Sequence, residues 1–306
     1  MASKIKNLPN TPGRVVEEQK NFFLVDTNGG IIRCTIKGVL KKSKIRICTG
    51  DLVTVEIINE DLKQGLITTT NNRINHLPRP PLANIEKLFF ISSYTMPPID
   101  LESIDRFLFS TAVYGINSAL VFNKVDILNK DETEKLDAVC DSYQKAGYET
   151  YYTSAKSKYG IDELIQSCEG KLCAFAGLSG VGKSSLLSVL IPDQTFKTGD
   201  LSQKNGKGTH TTTHTSLVPF TENGYIADTP GLSLIDIPRI DEEDTSIYFP
   251  ELESRVGTCK FNDCIHLNEP GCEILDLVKK GTIAPWRHHH YLKIRQEMET
   301  MRKRYR

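Results

Sequence analysis

A three-part α/β protein is the fold class this 306-residue sequence predicts: a small β-barrel, an α/β domain with a mostly parallel sheet, and a short C-terminal module rich in cysteine and histidine. Three observations predict it. Short apolar runs separated by turn residues occupy the N-terminal quarter. Strand-like and helix-like segments alternate between residues 88 and 176. Three cysteines and a histidine crowd into residues 259–272.

The barrel comes first. Phe22–Val25, Ile31–Ile36, Leu52–Ile58 and Gly65–Thr69 are apolar runs divided by Asn28-Gly29-Gly30 and Thr49-Gly50-Asp51. About five short strands in residues 1–75 fit a closed barrel of the OB type, a fold that often binds RNA or single strands. Lys41-Lys42-Ser43-Lys44-Ile45-Arg46 is expected on a loop or strand edge there. A barrel without a ligand is the alternative. Asn75–Pro81, interrupted by prolines, reads as an extended linker.

The α/β domain follows over residues 82–234. Leu88–Ile91, Ala119–Phe122, Tyr148–Tyr152 and Leu172–Ala176 read as strands, with helices near Leu101–Val113 and Glu132–Lys145. Such alternation predicts helices covering a parallel sheet. Hydrophobic content of 39% and charged content of 25% are ordinary for a soluble protein. The N-terminus MASKIKNLPNTPG has no apolar leader core, and no run approaches the length of a membrane span. A cytoplasmic protein without a membrane partner is expected. Net charge is zero but uneven: 13 Lys/Arg against 7 Asp/Glu in residues 1–80, 14 against 19 in 81–240, and 7 against 2 in the last 22. Basic ends around an acidic middle suit nucleic acid, or are simply solvated charge.

Phosphate chemistry is the strongest signal. Gly177-Leu178-Ser179-Gly180-Val181-Gly182-Lys183-Ser184-Ser185 fits G-x-x-x-x-G-K-[ST] between a strand and the apolar helix Leu186–Leu190. Its backbone N–H groups would wrap phosphates at a helix N-terminus. Lys183 would supply a point charge and Ser184 a Mg²⁺ ligand. Asp228-Thr-Pro-Gly231 follows a weak strand at Gly224–Ala227. Asp228 would hold Mg²⁺ through water, and the Gly231 N–H would sense the γ-phosphate. Thr212 and Thr213, within Gly208–His214, would complete the metal shell.

Base recognition is written earlier in the chain. Asn123-Lys124-Val125-Asp126 lies at the end of a strand, and Thr153-Ser154-Ala155-Lys156 follows the next. Asp126 can accept two hydrogen bonds from guanine N1 and N2, a donor pair that adenine lacks. Asn123 would tie this loop to the phosphate loop, the Lys124 stem would cover the base, and a backbone N–H near Ser154 and Ala155 could meet guanine O6. In an ordinary GTPase these motifs come after the phosphate loop. A circularly permuted P-loop GTPase domain accounts for the order, because ligands bind at the strands' carboxyl ends whatever the order of the strands.

The C-terminal module spans residues 235–306. Cys259-x4-Cys264-x-His266-x5-Cys272 supplies a Cys3His set suited to one structural, tetrahedral Zn²⁺. The other five cysteines, Cys34, Cys48, Cys140, Cys168 and Cys173, read as buried reduced thiols. His288-His289-His290 reads as surface on a polar helix, in reach of RNA, and the tail as helical and basic.

Together, the base motif first, then the phosphate loop, G-T-H-T-T-T, D-T-P-G and C-x4-C-x-H-x2-E-P-x-C behind an OB-like barrel resemble the ribosome small subunit-dependent GTPase family RsgA (YjeQ/YloQ) over essentially the whole chain. The resemblance implies a bacterial cytoplasmic GTPase acting late in small-subunit maturation, touching 16S rRNA with its barrel and zinc module. A monomer is expected. The alternative is a non-catalytic GTP-gated RNA-binding module, with GTP or GDP as ligand. Leu232 stands where Ras-like enzymes carry a water-orienting Gln, so slow intrinsic hydrolysis is expected. His210 is the candidate to position water, and His210, Lys183 and Thr212 form the candidate catalytic set.

Overall fold

The computed structural model describes residues 10–38, 40, 46–192, 215–229, 232, 235–240 and 242–304. The chain packs as two compact units. One gathers residues 1–87, 168–175 and 196–232, and the other residues 88–167, 176–195 and 233–306.

The first unit contains the barrel. Strands β1 (Asn10–Glu18), β2 (Phe23–Thr27), β3 (Gly30–Ile36), β4 (Leu52–Asn59) and β5 (Gln64–Thr70) pair in the order β1-β2-β3-β5-β4, and β4 pairs again with β1 to close the ring. The β3–β5 contact is parallel and the others antiparallel. Side chains alternate in and out with the period of two that a half-buried strand requires. The inward set, Val15, Phe23, Val25, Ile32, Cys34, Val53, Val55 and Ile67, forms the barrel core together with Ile47. The Arg73 guanidinium clasps Asp51 at 2.7 and 2.8 Å, and Asp51 Oδ2 accepts the Cys48 N–H.

β1 is not among the runs read as strands from the sequence, because Pro12 and Gly13 punctuate it. Gly13 is needed there: a Cβ would come within 2.6 Å of Val25 Cγ1 and 2.7 Å of the Asp26 carbonyl. The proline-rich segment is also more than an extended linker. β6 (His76–Pro78) and β7 (Pro81–Ala83) form a hairpin that buries Leu77, Leu82 and Ala83 completely. Asn75 donates to the Ile85 carbonyl and accepts its N–H, which clamps the hairpin base. The same unit holds the antiparallel pair β12 (Ser216–Phe220) and β13 (Gly224–Asp228), with β13 parallel to β11 (Leu172–Gly177). β1 meets β12 where Glu17 faces Ser216.

In the second unit β8 (Lys87–Ser93), β9 (Ser118–Asn123) and β10 (Glu149–Tyr152) run parallel in the order β10-β9-β8. Every residue of β8 and β9 is buried, as expected for strands covered on both faces. Helix α1 (Leu101–Val113) is capped by Asp100, and α2 (Lys130–Lys145) by an Asn129–Glu132 capping box. Helix α3 (Ile161–Ser167) leads toward β11, and α4 (Lys183–Leu190) follows it. The C-terminal part adds α5 (Pro250–Glu253), α6 (Glu273–Lys279) and the long α7 (Pro285–Arg304).

Helix α7 corrects the reading of its histidines. His289 is exposed, but His288 and His290 are 9% and 8% exposed. His290 Nδ1 lies 2.6 Å from Asp105 Oδ2, and His288 Nε2 lies 2.7 Å from the His266 carbonyl. Arg287, counted in the basic tail, is 1% exposed and ion-paired internally. The five remaining cysteines are buried as expected, and burial pushes the Cys34 and Cys48 thiols up to about 12. Among the described residues no helix is long and apolar enough to cross a membrane.

Candidate nucleotide site and metal centre

The base motif and the phosphate loop meet in the second unit. β9 ends at Asn123, which is 3% exposed and donates from Nδ2 to the Val181 carbonyl at 3.0 Å, across 58 residues of sequence. Its Oδ1 accepts from Thr153 Oγ1 and from the Ala155 N–H, each at 3.2 Å. Lys124 takes a left-handed backbone (φ +65°) and sends Nζ to the Gly180 carbonyl at 2.6 Å and the Met96 carbonyl at 2.8 Å. The Val125 N–H donates to the Thr153 carbonyl. Asp126 is exposed, and the fully buried Ser154 donates to its Oδ1 at 2.6 Å. An aspartate so held presents carboxylate oxygen to a base edge without having to order itself on binding.

Gly177 ends β11, Leu178–Gly182 form the loop, and Lys183, Ser184 and Ser185 open α4. Gly182 caps that helix at φ +91°, and a Cβ there would lie 2.4 Å from Asn123 Nδ2. Glycine at 182 is therefore the condition for Asn123 to reach the loop. Gly182→Ala is expected to weaken guanine-nucleotide binding at least tenfold, about 1.4 kcal/mol. A fluorescent-GDP titration within twofold of the parent would contradict this.

Asp228 ends β13 in the first unit. There β11 and β13 run parallel, so their carboxyl ends point the same way. Leu232 is 1% exposed, a buried apolar side chain at the position considered for orienting water. His210, Thr212, Thr213, Gly231 and Lys41–Lys44 lie outside the described residues.

The metal-ligand set is assembled. The ligand atoms of Cys259, Cys264, His266 and Cys272 all lie within 4.8 Å of one another. His266 Nδ1 is 3.6, 3.4 and 3.4 Å from the sulfurs of Cys259, Cys264 and Cys272, and Cys259 Sγ is 3.9 Å from Cys272 Sγ. Tetrahedral zinc with its usual bond lengths would set sulfur–sulfur edges of about 3.8 Å and sulfur–nitrogen edges of about 3.6 Å. The residues fit such an ion. The knuckle backbone is braced by Glu269, whose carboxylate accepts the N–H groups of Ile265, Leu267 and Asn268.

Three supporting contacts have no sequence signal of their own. The Thr153 hydroxyl contact to Asn123 depends on the β9–β10 pairing. The Met96 carbonyl carries no residue-type signal. Glu269 belongs to the C-x4-C-x-H-x2-E-P-x-C run, but its role as a carboxylate cap follows only from the folded turn.

The family described as RsgA GTPase matches residues 70–238, and the RsgA N-terminal domain matches residues 12–67. The small ribosomal subunit biogenesis GTPase RsgA of Bacillus pumilus is 36% identical over 298 residues, covering 96% of this chain and 99% of that protein. The Geobacillus kaustophilus protein of the same name is 36% identical over 293 residues, with 96% and 99% covered. Among solved structures, YjeQ from Thermotoga maritima superposes with a TM-score of 0.83 at 31% identity, covering 95% of this chain and 99% of that one. YloQ, titled a circularly permuted GTPase, gives 0.82 at 28% identity, with 98% and 99% covered.

Proposed function

This chain belongs to the RsgA GTPase family, a circularly permuted GTPase, and from that premise we propose that it hydrolyses GTP in the late maturation of the small ribosomal subunit. One observation carries the nucleotide reading. The Asn123 amide reaches the Val181 carbonyl, which joins a guanine motif to a phosphate loop that follows it in sequence. Contacts survive permutation because they depend on where strands end.

In this reading Asp126 reads guanine, with Asn123, Lys124, Val125, Ser154 and Ala155 shaping the base pocket. Backbone N–H groups from Gly177 to Ser185 hold the phosphates, and Lys183 neutralises them. Ser184 and Asp228 would hold Mg²⁺, which supplies charge stabilisation to the β- and γ-phosphates when bound. The Gly231 N–H would sense the γ-phosphate, and Thr212 and Thr213 would complete the metal shell. Cys259, Cys264, His266 and Cys272 would hold a structural Zn²⁺, a reading supported by the ligand spacing. The partner is the small subunit, contacted through 16S rRNA by the barrel and the zinc module. The working divisions are a barrel over 1–75, a GTPase domain over 82–234 and a zinc module over 235–306, in a cytoplasmic monomer.

The test is phosphate release from GTP with and without purified small subunits, for the parent and His210→Ala. Slow intrinsic release is expected, since the buried Leu232 cannot hydrogen-bond to water. Subunits should stimulate it at least tenfold, about 1.4 kcal/mol of barrier, and His210→Ala should lose most of that gain. Wild-type rates from His210→Ala would remove its role. Nucleotide bound but never cleaved would favour the GTP-gated RNA-binding module instead.

A further inference from the structure

Helix α7 grips two things at once. On one side His288 Nε2 meets the carbonyl of the metal-ligand candidate His266 at 2.7 Å, and the Tyr291 hydroxyl donates to the Ile265 carbonyl at 3.1 Å. On the other side Arg287 and His290 both engage Asp105 of α1, which is 0% exposed. Asp105 accepts from Arg287 Nη1 at 2.5 Å and from the Tyr143 hydroxyl of α2 at 3.0 Å, and it faces His290 Nδ1 at 2.6 Å. The Arg287 guanidinium also forks onto Glu251 of α5 at 2.7 and 2.9 Å. Its plane is enclosed by the rings of Tyr143, Tyr148 and Phe249, each 5.1–5.5 Å from Cζ. Further along α7, Arg106 of α1 pairs in both arms with Glu297.

A cluster of this kind is a poor way to gain stability, because desolvating the charges costs about what their attraction returns. What it does provide is a single allowed geometry. Hydrophobic side chains can slide against one another, whereas a buried arginine held by two carboxylates from two helices cannot shift without stranding a charge. The knuckle grip lies one residue from the cluster residue Arg287 in sequence, so α7 has no hinge between them.

We infer that the Asp105–Glu251–Arg287–His290 cluster is a rigid joint that makes the metal knuckle and helix α1 move as one body. The joint transmits the state of the knuckle to α1, whose N-terminal cap Asp100 follows the loop that offers the Met96 carbonyl to Lys124. This goes beyond the GTPase reading and does not depend on it; it rests on the reading of Cys259, Cys264, His266 and Cys272 as a zinc site.

The experiment is amide hydrogen exchange of the full chain, zinc-loaded against chelator-treated, followed in α1 and, as an internal control, in barrel strand β3. Removing zinc should speed exchange in α1 at least tenfold while β3 stays within twofold. Chelation that affects only residues near 255–272 would overturn the inference. A second arm replaces the joint without leaving a lone charge, using Asp105→Asn, Glu251→Gln and Arg287→Met together. That protein should exchange fast in α1 whether or not zinc is bound. If it still responds to zinc as the parent does, the joint is not the path. The parent comparison alone decides the matter if the triple variant does not fold. GTP binding and hydrolysis enter neither readout, so a failed GTPase assignment would leave these results interpretable.

Discussion

Replacing Asp126 by asparagine is expected to abolish the preference for guanine. Guanine presents N1–H and N2–H together, and a carboxylate accepts both. An asparagine keeps one acceptor but turns an N–H₂ group toward a donor, so one bond is lost and a repulsion appears. A charge-assisted hydrogen bond is worth about 1.5–3 kcal/mol, so GTP affinity should fall by roughly 10- to 150-fold. Ser154 donates to Oδ1 at 2.6 Å and could do so to the amide oxygen as well, so the loop should keep its shape. The same asparagine complements xanthine, which pairs an N1–H donor with a C2 carbonyl. Competition binding should therefore show GTP falling and xanthosine triphosphate rising. Unchanged guanine selectivity would refute the assignment of Asn123–Asp126.

The second large effect concerns Cys264→Ser. A serine hydroxyl does not replace a thiolate on zinc, and the stretch between α5 and α6 has no strand or helix of its own. Zinc typically contributes about 10–16 kcal/mol to the folding of such small modules, so loss of one ligand should unfold the knuckle. The first candidate ligand, Cys259, follows Gly231 by 28 residues, so a switch that γ-phosphate ordered at Gly231 would be covalently tied to the module. GTP binding should stay within about threefold of the parent, under 1 kcal/mol. Subunit-stimulated hydrolysis should disappear. If the variant merely needs more subunits and reaches the same maximal rate, the module adds affinity and the coupling is absent.

The candidate nucleotide and metal residues that the structure brings together are legible because each depends on residue type at fixed spacing. Gly182, Asn123, Asp126 and the four knuckle ligands are each close to the only residue that could serve, so they mark themselves in the sequence. Tertiary partners leave no such mark. Arg287 and His290 look like solvated charge until Asp105 of α1, some 180 residues upstream, meets them, and so does His288 until the His266 carbonyl meets it. The hairpin at His76–Ala83 reads as a linker because its prolines are breakers in isolation, whereas in the fold Leu77 and Leu82 anchor it in the core. The barrel's first strand is obscured in the sequence for a related reason. Gly13 weakens a strand by propensity, yet it is what the close approach of β2 demands.

That strand has a further consequence, which concerns solubility. β1 bonds to β2 and β4 to complete the ring, and where its register shifts between Val15 and Glu17 it also reaches β12 at Ser216. One nine-residue segment thus covers the open sides of three strands. A chain begun after Glu18 would bare unpaired N–H and C=O groups on all three, and bared strand edges recruit other chains. Such a truncation is expected to form soluble aggregates on size exclusion, although every candidate nucleotide and metal residue is retained. A monodisperse peak with cooperative unfolding would show that β12 and the barrel shield their own edges. If aggregates form, trimming at the N-terminus to simplify RNA-binding studies tests self-association before it tests RNA.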